Sequence, residues 1–370
     1  MASRTTASAP HSERLKSLRA RLGKLELDCL LVTNPADIHY LTGFRGEDSY
    51  AVVTKRKVSI ISDFRFGEEL ERVSDRCQIV MRSGSIADAT GKLLNDLGAG
   101  SIGIQSEYVT LAQRDALVKP LGKGGAKRLK PVSDVMASLR LIKTDDEVKS
   151  IRKAIKIQQE SLLATLAGVR PGETELELCA RLEFEMKTRG SERPAFGPIV
   201  AAQANGSLPH AVPGRTKVAK GKPLLIDWGC TVDGYRSDMT RTFSIGSWSK
   251  KMREIYQITH EAFLAAVEAV RPGLACSELD GVARGIIAKA GYGEAFGHSL
   301  GHGIGLDVHE GPRVAKTSDT VLEPGMVITI EPGIYLPGIG GVRIENDILV
   351  TPRGGKDLCS LPTDMEWATI

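Results

Sequence analysis

The spacing of hydrophobic and polar positions changes along the chain, and the changes predict its elements. Residues 12–43, "SERLKSLRARLGKLELDCLLVTNPADIHYLTG", predict an amphipathic helix, a strand at Cys29–Thr33 and a turn opening at Asn34–Pro35. Residues 49–63, "SYAVVTKRKVSIISD", predict two short strands around a charged turn. Helix and strand patterns then alternate up to about residue 106. This alternation is typical of an α/β layer domain.

A second pattern begins at Thr144. "TDDE" is a capping box, because Glu147 lies three residues after the threonine, and a long helical pattern follows it. We therefore place a domain boundary here. The predicted organisation is a flexible tail over residues 1–11, a smaller α/β domain over residues 12–140 and a larger domain over residues 144–370.

The larger domain contains an internal repeat. "GVRPGETELELCARLEFEMKTRG" (168–190) corresponds to "AVRPGLACSELDGVARGIIAKAG" (269–291), and "LLIDWG" (224–229) corresponds to "VITIEPG" (327–333). The spacing stays near 100 residues, and each half closes with a second acidic strand. Two copies of a helix–helix–strand–hairpin unit predict an α+β domain with a pseudo-twofold axis and two sheets back to back.

Composition narrows the class of protein. The 370 residues are 42% hydrophobic and 25% charged, which is ordinary for a globular enzyme, and a net charge of +4 is too small to indicate nucleic-acid binding. Six scattered cysteines without a C-x-x-C pair predict reduced thiols and a cytoplasmic location. The chain has neither an apolar run of the ~18–20 residues that span a bilayer nor the hydrophobic region of a signal peptide, so we expect no membrane association.

The first acidic strand pair carries the earliest candidate chemistry. Asp233–Gly234 is the preferred two-residue type I′ turn, and it sets residue 227 opposite residue 240. Since side chains alternate along a strand, Asp227 and Asp238 become diagonal neighbours on one face. Two carboxylates this close in a buried sheet repel each other unless a cation or a proton lies between them.

The second half repeats this arrangement. Glu331 and Glu345 flank a loop centred near Gly338, and the repeat makes them the counterparts of Asp227 and Asp238. A pseudo-twofold axis would bring both acidic pairs together. Four inward carboxylates carry a charge that two divalent ions balance, so the pattern predicts a two-metal site.

The segment "GHSLGHGIGLDVHEG" (297–311) supplies the nitrogen ligand. A helix with an H-x₃-H face would not tolerate its glycines, each of which costs about 0.8–1.0 kcal/mol relative to alanine. The segment also matches no phosphate-binding glycine motif. We therefore expect an extended backbone that brings His302 to the metals, with His298 beside them.

Simpler explanations exist for single residues. Asp227 alone could be a strand-end turn residue, and the strand around Glu345 could be a solvated edge. His39 and His260 are isolated from the cluster and are interpreted as structural. The metal hypothesis depends on four acids at repeat-related positions, with the histidine segment between the pairs.

At these residues the sequence resembles the pita-bread metallopeptidases, which include Xaa-Pro aminopeptidases, prolidases, methionine aminopeptidases and the metal-free creatinases. The likeness covers nearly the whole chain. "LRLIKTDDEVKSIRKA" (139–154) is similar to the interdomain signature of the Xaa-Pro group, and the first 140 residues fit its creatinase-type N-terminal domain. Methionine aminopeptidases generally lack that domain.

The resemblance assigns roles to the metal ligands. It implies that Asp227 chelates one metal, that Asp238 and Glu345 bridge both, and that His302 and Glu331 complete the second. The family commonly uses manganese, with cobalt, zinc or iron as alternatives. Oxygen-dominated ligation also favours Mn²⁺.

The resemblance also implies a substrate side. His210 and His309 look like histidines that hold the scissile carbonyl and assist proton transfer, and Glu331 is placed to accept a proton from water. We expect His298 and Arg343 at the substrate site, with Arg343 matching an arginine that supports the bridging carboxylates. A homodimer is implied as well.

The expected function is hydrolysis of the bond between an N-terminal residue and proline in peptides. A broad Xaa-Pro aminopeptidase is favoured, and an Xaa-Pro dipeptidase (prolidase) is the alternative. Arg313 bears on this choice: similar prolidases carry an arginine there for the substrate carboxylate, but a solvated loop arginine fits equally well. A creatinase-like metal-free hydrolase and a catalytically silent binding module are more distant candidates, and both would be expected to lack the five ligands.

Overall fold

The computed structural model describes residues 9–370, with side chains from residue 11 onwards. The chain divides into two compact units, Met1–Leu139 and Arg140–Ile370. Most of the predicted flexible tail, residues 1–8, lies outside the described residues. Its last three residues are instead the first turn of helix α1 (Ala9–Lys24).

The first unit is built on a six-stranded sheet in the order β4-β3-β2-β1-β5-β6. Only β2 runs antiparallel to its neighbours, and the other adjacent pairs are parallel. Every residue of β1 is buried, as expected for a central strand covered on both faces. The strands are β1 (Cys29–Val32), β2 (Tyr50–Thr54), β3 (Val58–Ser62), β4 (Gln78–Met81), β5 (Ile102–Gln105) and β6 (Leu129–Val132).

Helices connect these strands, so the predicted α/β layer arrangement is confirmed. The turn predicted at Asn34–Pro35 is wrong, because these residues start a helix: the Asn34 side chain accepts a hydrogen bond from the amide of Ala36, and Pro35 occupies the first helical position. The remaining helices are α2 (Pro35–Thr42), α3 (Gly67–Glu71), α4 (Ile86–Asp96), α5 (Leu111–Leu121), α6 (Gly125–Arg128) and α7 (Ala137–Arg140), with a 3₁₀ turn at Phe64–Phe66.

The second unit begins with the predicted capping box. Thr144 accepts from the amide of Glu147, whose side chain accepts from the amide of Thr144, and the long helix α8 follows. An equivalent box at Thr174 and Glu177 starts the next helix. The helices are α8 (Asp145–Leu166), α9 (Glu175–Thr188), α10 (Lys250–Ala269) and α11 (Cys276–Lys289), with 3₁₀ turns at Gln203–Ser207 and Gly293–Ala295.

Two main sheets occupy the second unit, in the orders β11-β8-β7 and β13-β12-β14-β17-β18, together with the small pairs β9-β10 and β15-β16. Their strands are β7 (Ile199–Ala202), β8 (Pro223–Trp228), β9 (Thr231–Val232), β10 (Tyr235–Arg236), β11 (Met239–Ser244), β12 (Gly301–Gly303), β13 (Glu310–Val314), β14 (Val327–Ile330), β15 (Gly333–Leu336), β16 (Gly340–Arg343), β17 (Asn346–Thr351) and β18 (Gly354–Asp357).

The internal repeat is visible in this unit. Helices α9 and α11 each contain 14 residues and begin at repeat-related positions. The two hairpins meet where the amide of Glu345 donates to the carbonyl of Thr240 (3.2 Å) and the amide of Arg343 donates to the hydroxyl of Thr242 (3.1 Å). The predicted α+β pseudo-twofold architecture is confirmed, and its centre lies where the acidic residues are found.

Two further expectations from the sequence concern membrane-spanning helices and the state of the cysteines. Among residues 9–370, no helix is both long and apolar enough to cross a membrane. All six cysteines are free thiols.

Candidate metal centre and substrate pocket

The first hairpin has the predicted register. The turn residues Asp233 and Gly234 have φ angles of 54° and 79°, as a type I′ turn requires. Asp227 on β8 pairs with Thr240 on β11, and Asp238 immediately precedes β11. The two aspartates are 8% and 4% exposed, so both carboxylates leave water when the sheet forms.

The second hairpin positions the glutamates in the same way. The pairing of Ile330 with Asn346 continues as Gly333 with Arg343, which sets Glu331 across from Glu345. The turn contains Gly338, whose φ of 76° favours glycine. Both glutamates line the same cavity as the two aspartates.

His302 joins this cluster from the middle of β12. Its backbone is extended, as the glycines predicted, and not helical. One ligand atom each from Asp238, His302 and Glu345 lies within 4.8 Å of the others. The Nε2 atom of His302 is also 3.4 Å from Oε1 of Glu331 and 3.7 Å from Oδ2 of Asp238.

Burial and crowding dominate the electrostatics of the acids. Burial, reinforced by the nearby charge of Glu345, raises the pKa of Asp238 and of Glu331 well above the usual range. Burial and the neighbouring Asp227 raise the pKa of Glu345 to about 8. Charged carboxylates in this arrangement need a cation between them.

The donor set fits divalent cations. Oδ1 of Asp227 and Oδ1 of Asp238 are buried without a hydrogen-bond partner in the described part of the chain. Nδ1 of His302 lies 3.0 Å from the carbonyl of Gly303, so this nitrogen carries the proton and Nε2 presents a lone pair to the cluster. Burial lowers the pKa of His302 to about 4, which keeps its ring neutral, as metal ligation requires.

Arg343 is the only guanidinium lining this cavity that hydrogen-bonds one of the four acids, within residues 9–370. Its Nη2 donates to Oδ2 of Asp227 (2.6 Å), and its Nε donates to the hydroxyl of Thr240 (2.9 Å). Thr240 in turn donates to Oε2 of Glu345 (2.6 Å). The expectation that Arg343 supports the bridging acids needs refinement, because its direct partner is Asp227 and it reaches Glu345 only through Thr240.

Sequence reasoning missed Tyr335 as well as Thr240. The Tyr335 hydroxyl accepts from Nη1 of Arg343 (2.7 Å) and lies 2.8 Å from Nε2 of His298. Nδ1 of His298 lies 2.8 Å from the carbonyl of Ser299, so the tyrosine donates to Nε2. The hairpin register could have indicated Thr240, which is paired with Asp227, but no sequence signal pointed to Tyr335.

A cavity of about 710 Å³ opens onto the cluster, which is within the range of ligand pockets. His210 stands at its exposed edge, while the ring of His309 lies 4.4 Å from that of His302, measured between centroids. Burial lowers the pKa of His309. The structure thus brings every predicted site residue to one cavity, lined among others by His210, Asp227, Asp238, His298, His302, His309, Arg313, Glu331, Arg343 and Glu345.

Arg313 enters this cavity from β13, where it is paired with His302 on β12. Its side chain is exposed, and it forms no ion pair with an acid of the described chain. The two histidines interpreted as structural do not line the cavity. His39 lies on α2, and Nε2 of His260, on α10, is 3.0 Å from the hydroxyl of Thr363.

Known proteins are similar to this chain in both of its units. Residues 149–352 match the metallopeptidase family M24, and residues 14–142 match the creatinase/prolidase N-terminal domain. An Xaa-Pro dipeptidase from Pyrococcus horikoshii is 39% identical over 348 residues, which are 94% of this chain and 97% of that relative.

Solved structures are similar over almost their whole length. An Xaa-Pro dipeptidase from Bacillus anthracis superposes with a TM-score of 0.92 at 38% identity, covering 96% of this chain and 99% of that one. An X-Pro aminopeptidase from Thermotoga maritima superposes with a TM-score of 0.84 at 34% identity, covering 93% and 99%. The resemblance therefore extends through both units.

Proposed function

The chain belongs to metallopeptidase family M24, and from this premise we propose that it acts as an Xaa-Pro dipeptidase. It has the pita-bread fold with a creatinase-type N-terminal domain, and it is an enzyme that hydrolyses Xaa-Pro bonds. The observation that supports a metal-dependent reaction is the cluster of Asp238, His302 and Glu345 in the cavity, in which both acids are buried.

The proposed cofactor is a pair of divalent ions. Asp227 would hold one ion, Asp238 and Glu345 would bridge both, and His302 with Glu331 would hold the other. Mn²⁺ suits this oxygen-rich set, with cobalt, zinc or iron as alternatives. When bound, such ions lower the pKa of a water molecule and polarise a carbonyl group.

The protein's own groups would carry the protons and the developing charge. Glu331 would accept a proton from the attacking water and deliver it to the leaving proline nitrogen. His309 and His210 would donate hydrogen bonds to the oxygen of the scissile carbonyl as negative charge develops there. His298 is held by Tyr335 as a neutral ring, since burial lowers its pKa to about 4, so it would bind substrate without adding charge.

Substrate length separates the dipeptidase from an aminopeptidase. The sequence alone favoured the aminopeptidase, but Arg313 in the cavity, with no acidic partner in the described chain, supports capture of a free carboxylate. A guanidinium grips a carboxylate in a bidentate fork, which an internal peptide group cannot match. The aminopeptidase stays the second candidate, because the similar structure from Thermotoga maritima has that activity in its name.

Three substrates of one series test the proposal: an Xaa-Pro dipeptide, the same dipeptide amidated at its C-terminus, and an Xaa-Pro-Yaa tripeptide. A dipeptidase should show the highest kcat/KM for the first, because only it presents a carboxylate directly after proline. Equal or higher kcat/KM for the tripeptide and the amide would reject the dipeptidase in favour of the aminopeptidase.

A metal-free hydrolase and a silent binding module differ from a dipeptidase in their dependence on metal. A creatinase-like hydrolase would work without metal, and a silent binding module would show no turnover, so activity assayed before and after chelation separates all three. The homodimer and the cytoplasmic location expected from the sequence stay predictions.

A further inference from the structure

We propose that Glu175 is a positioning residue that fixes the loop carrying His210. This inference rests on the proposed function, in which His210 contacts the scissile carbonyl. The loop comprises residues 203–213, "QANGSLPHAVP", and follows β7. Glu175 is the first residue of α9, far from the metal ligands in sequence and absent from the cavity lining.

The Glu175 carboxylate grips both ends of this loop. Its Oε1 accepts from the amide of Ala202 (2.7 Å), immediately before the loop, and from Nδ2 of Asn205 (3.0 Å), inside it. Its Oε2 accepts from the amide of Gly214 (2.9 Å), immediately after the loop. One side chain therefore fixes the distance between Ala202 and Gly214, the residues on either side of the loop that carries His210.

The start of α9 adds backbone bonds to the same segment. The amide of Glu175 donates to the carbonyl of Thr216 (3.0 Å), and the amide of Leu176 donates to that of Gly214 (3.1 Å). Glu175 is fully buried, so its three accepted hydrogen bonds replace water entirely. Removing one of these acceptors would leave a buried N–H donor without a partner. This would destabilise the folded arrangement of the loop.

The loop needs such a restraint because its conformation is strained. Gln203, directly after Ala202, has a φ of 58°, in the left-handed region that non-glycine residues adopt only where their surroundings enforce it. His210 is exposed and makes no hydrogen bond of its own within residues 9–370. Its position depends on the backbone that carries it.

Comparison of the two halves of the repeat indicates that the Glu175 carboxylate is not required to start helix α9. Cys276 occupies the related position in α11, and its amide donates to the carbonyl of Thr320 (2.8 Å) just as that of Glu175 donates to Thr216. A thiol cannot bridge two amides as a carboxylate does, yet α11 forms with the same length. In the first half, the carboxylate instead accepts hydrogen bonds from the backbone at both ends of the loop that carries His210.

The test combines Glu175→Gln with His210→Ala. Glutamine keeps the size of the side chain but turns one accepting oxygen into a donor, so one end of the loop is released. We expect kcat to fall by about 10–10²-fold, the scale of a misplaced catalytic group, with metal content unchanged. In the His210→Ala background the same substitution should lower kcat less than about twofold, because the group that it positions is gone.

Hydrogen exchange supplies a readout independent of activity. Amides of residues 203–214 should exchange faster in Glu175→Gln. The matched control is Glu177→Gln, two residues along the same helix, which weakens the capping box without touching the loop. It should leave both the exchange of the loop and kcat unchanged.

The outcomes are distinct. Equal losses from Glu175→Gln in the two backgrounds would make Glu175 a general structural residue and overturn the inference. Full activity of Glu175→Gln, with His210→Ala impaired, would also overturn it while leaving the proposed function intact. Full activity of His210→Ala would overturn both the role of His210 and the inference built on it.

Discussion

Nη2 of Arg343 lies 2.6 Å from Oδ2 of Asp227, while Oδ1 of the same aspartate is buried without a hydrogen-bond partner in the described chain. One oxygen is thus paired with a fixed cation, and the other has no partner among the described protein groups. Asp238 also has a buried oxygen without a partner, and no Lys or Arg of residues 9–370 forms an ion pair with it. Because the centre contains more carboxylates than positively charged side chains, it is suited to bind cations.

The acids facing each other should therefore be indispensable to metal binding. Asp238→Asn and Glu345→Gln each remove one negative charge while keeping the side-chain shape. We expect each to lose bound divalent metal and to lower kcat by several orders of magnitude, measured by metal analysis of the purified protein beside steady-state kinetics. Asp319→Asn, an exposed acid of the same unit, is the control that should retain both. Near-normal turnover in either site variant would show that other acids hold the metal.

Much of this centre could be predicted from the sequence, because its parts are set by local rules. A two-residue turn at Asp233–Gly234 fixes the hairpin register, and that register places Asp227 and Asp238 on one face. The repeat then supplied Glu331 and Glu345 by correspondence. Glycines in the segment around His302 excluded a helix, and the structure has a strand there.

The supporting groups could not be predicted, because they depend on contacts between distant segments. Tyr335 reaches His298 only after the second hairpin has folded onto the histidine segment. Glu175 accepts from Ala202 and Gly214, which are 27 and 39 residues away. A three-dimensional contact of this kind leaves no periodicity or motif in a single sequence.

The two substrate-side histidines should behave unlike the metal ligands. His309→Ala should keep most of the bound metal and lower kcat by roughly 10²–10³-fold, the loss expected for one hydrogen-bond donor to a developing oxyanion. His302→Ala should lose metal as well as activity. His260→Ala, on a helix outside the cavity, is the control and should keep normal kcat. Loss of a metal equivalent in His309→Ala would make that histidine a ligand instead.

The metal-free protein should lose stability as the pH rises from about 6.5 to about 8. The folded pKa of Glu345 is about 8, above its ordinary 4.5, so the folded state keeps a proton that the unfolded state releases, and rising pH disfavours folding. His298 and His302 act oppositely, since their folded pKa of about 4 lies below the ordinary 6.5. Their contribution is half complete at pH 6.5 and nearly complete about one pH unit higher. The decline should therefore be steepest in the upper part of the window, where the buried carboxylates with raised pKa, Glu345 together with Asp238 and Glu331, dominate.

The thermal midpoint of chelated protein, recorded at half-unit steps of pH, measures this effect. One proton retained only in the folded state corresponds to about 1.4 kcal/mol per pH unit. Saturating Mn²⁺ should abolish the decline, because it replaces the proton among the acids. Chelated Glu345→Gln should decline less than the chelated parent. A midpoint that rises between pH 6.5 and 8 in the chelated parent would contradict the raised pKa of the acids.

Arg313 should determine preference for substrate length. If its guanidinium grips the carboxylate that follows proline, Arg313→Ala should raise KM for Xaa-Pro dipeptides far more than for Xaa-Pro-Yaa tripeptides. A lost charged hydrogen bond is worth about 1.5–3 kcal/mol, or roughly 10–100-fold in kcat/KM. Because the side chain lies in the cavity but outside the metal cluster, metal content and kcat for the tripeptide should stay near normal.

Two further variants separate charge from geometry and from general effects. Arg313→Lys keeps the positive charge but not the planar fork, so it should recover only part of the dipeptide kcat/KM. Arg353→Ala removes an exposed arginine of the same unit outside the cavity and should change neither substrate. A small, equal effect of Arg313→Ala on both substrate lengths would make Arg313 a solvated arginine. The choice between dipeptidase and aminopeptidase would then depend on the walls of the cavity, since the metal centre serves both reactions alike.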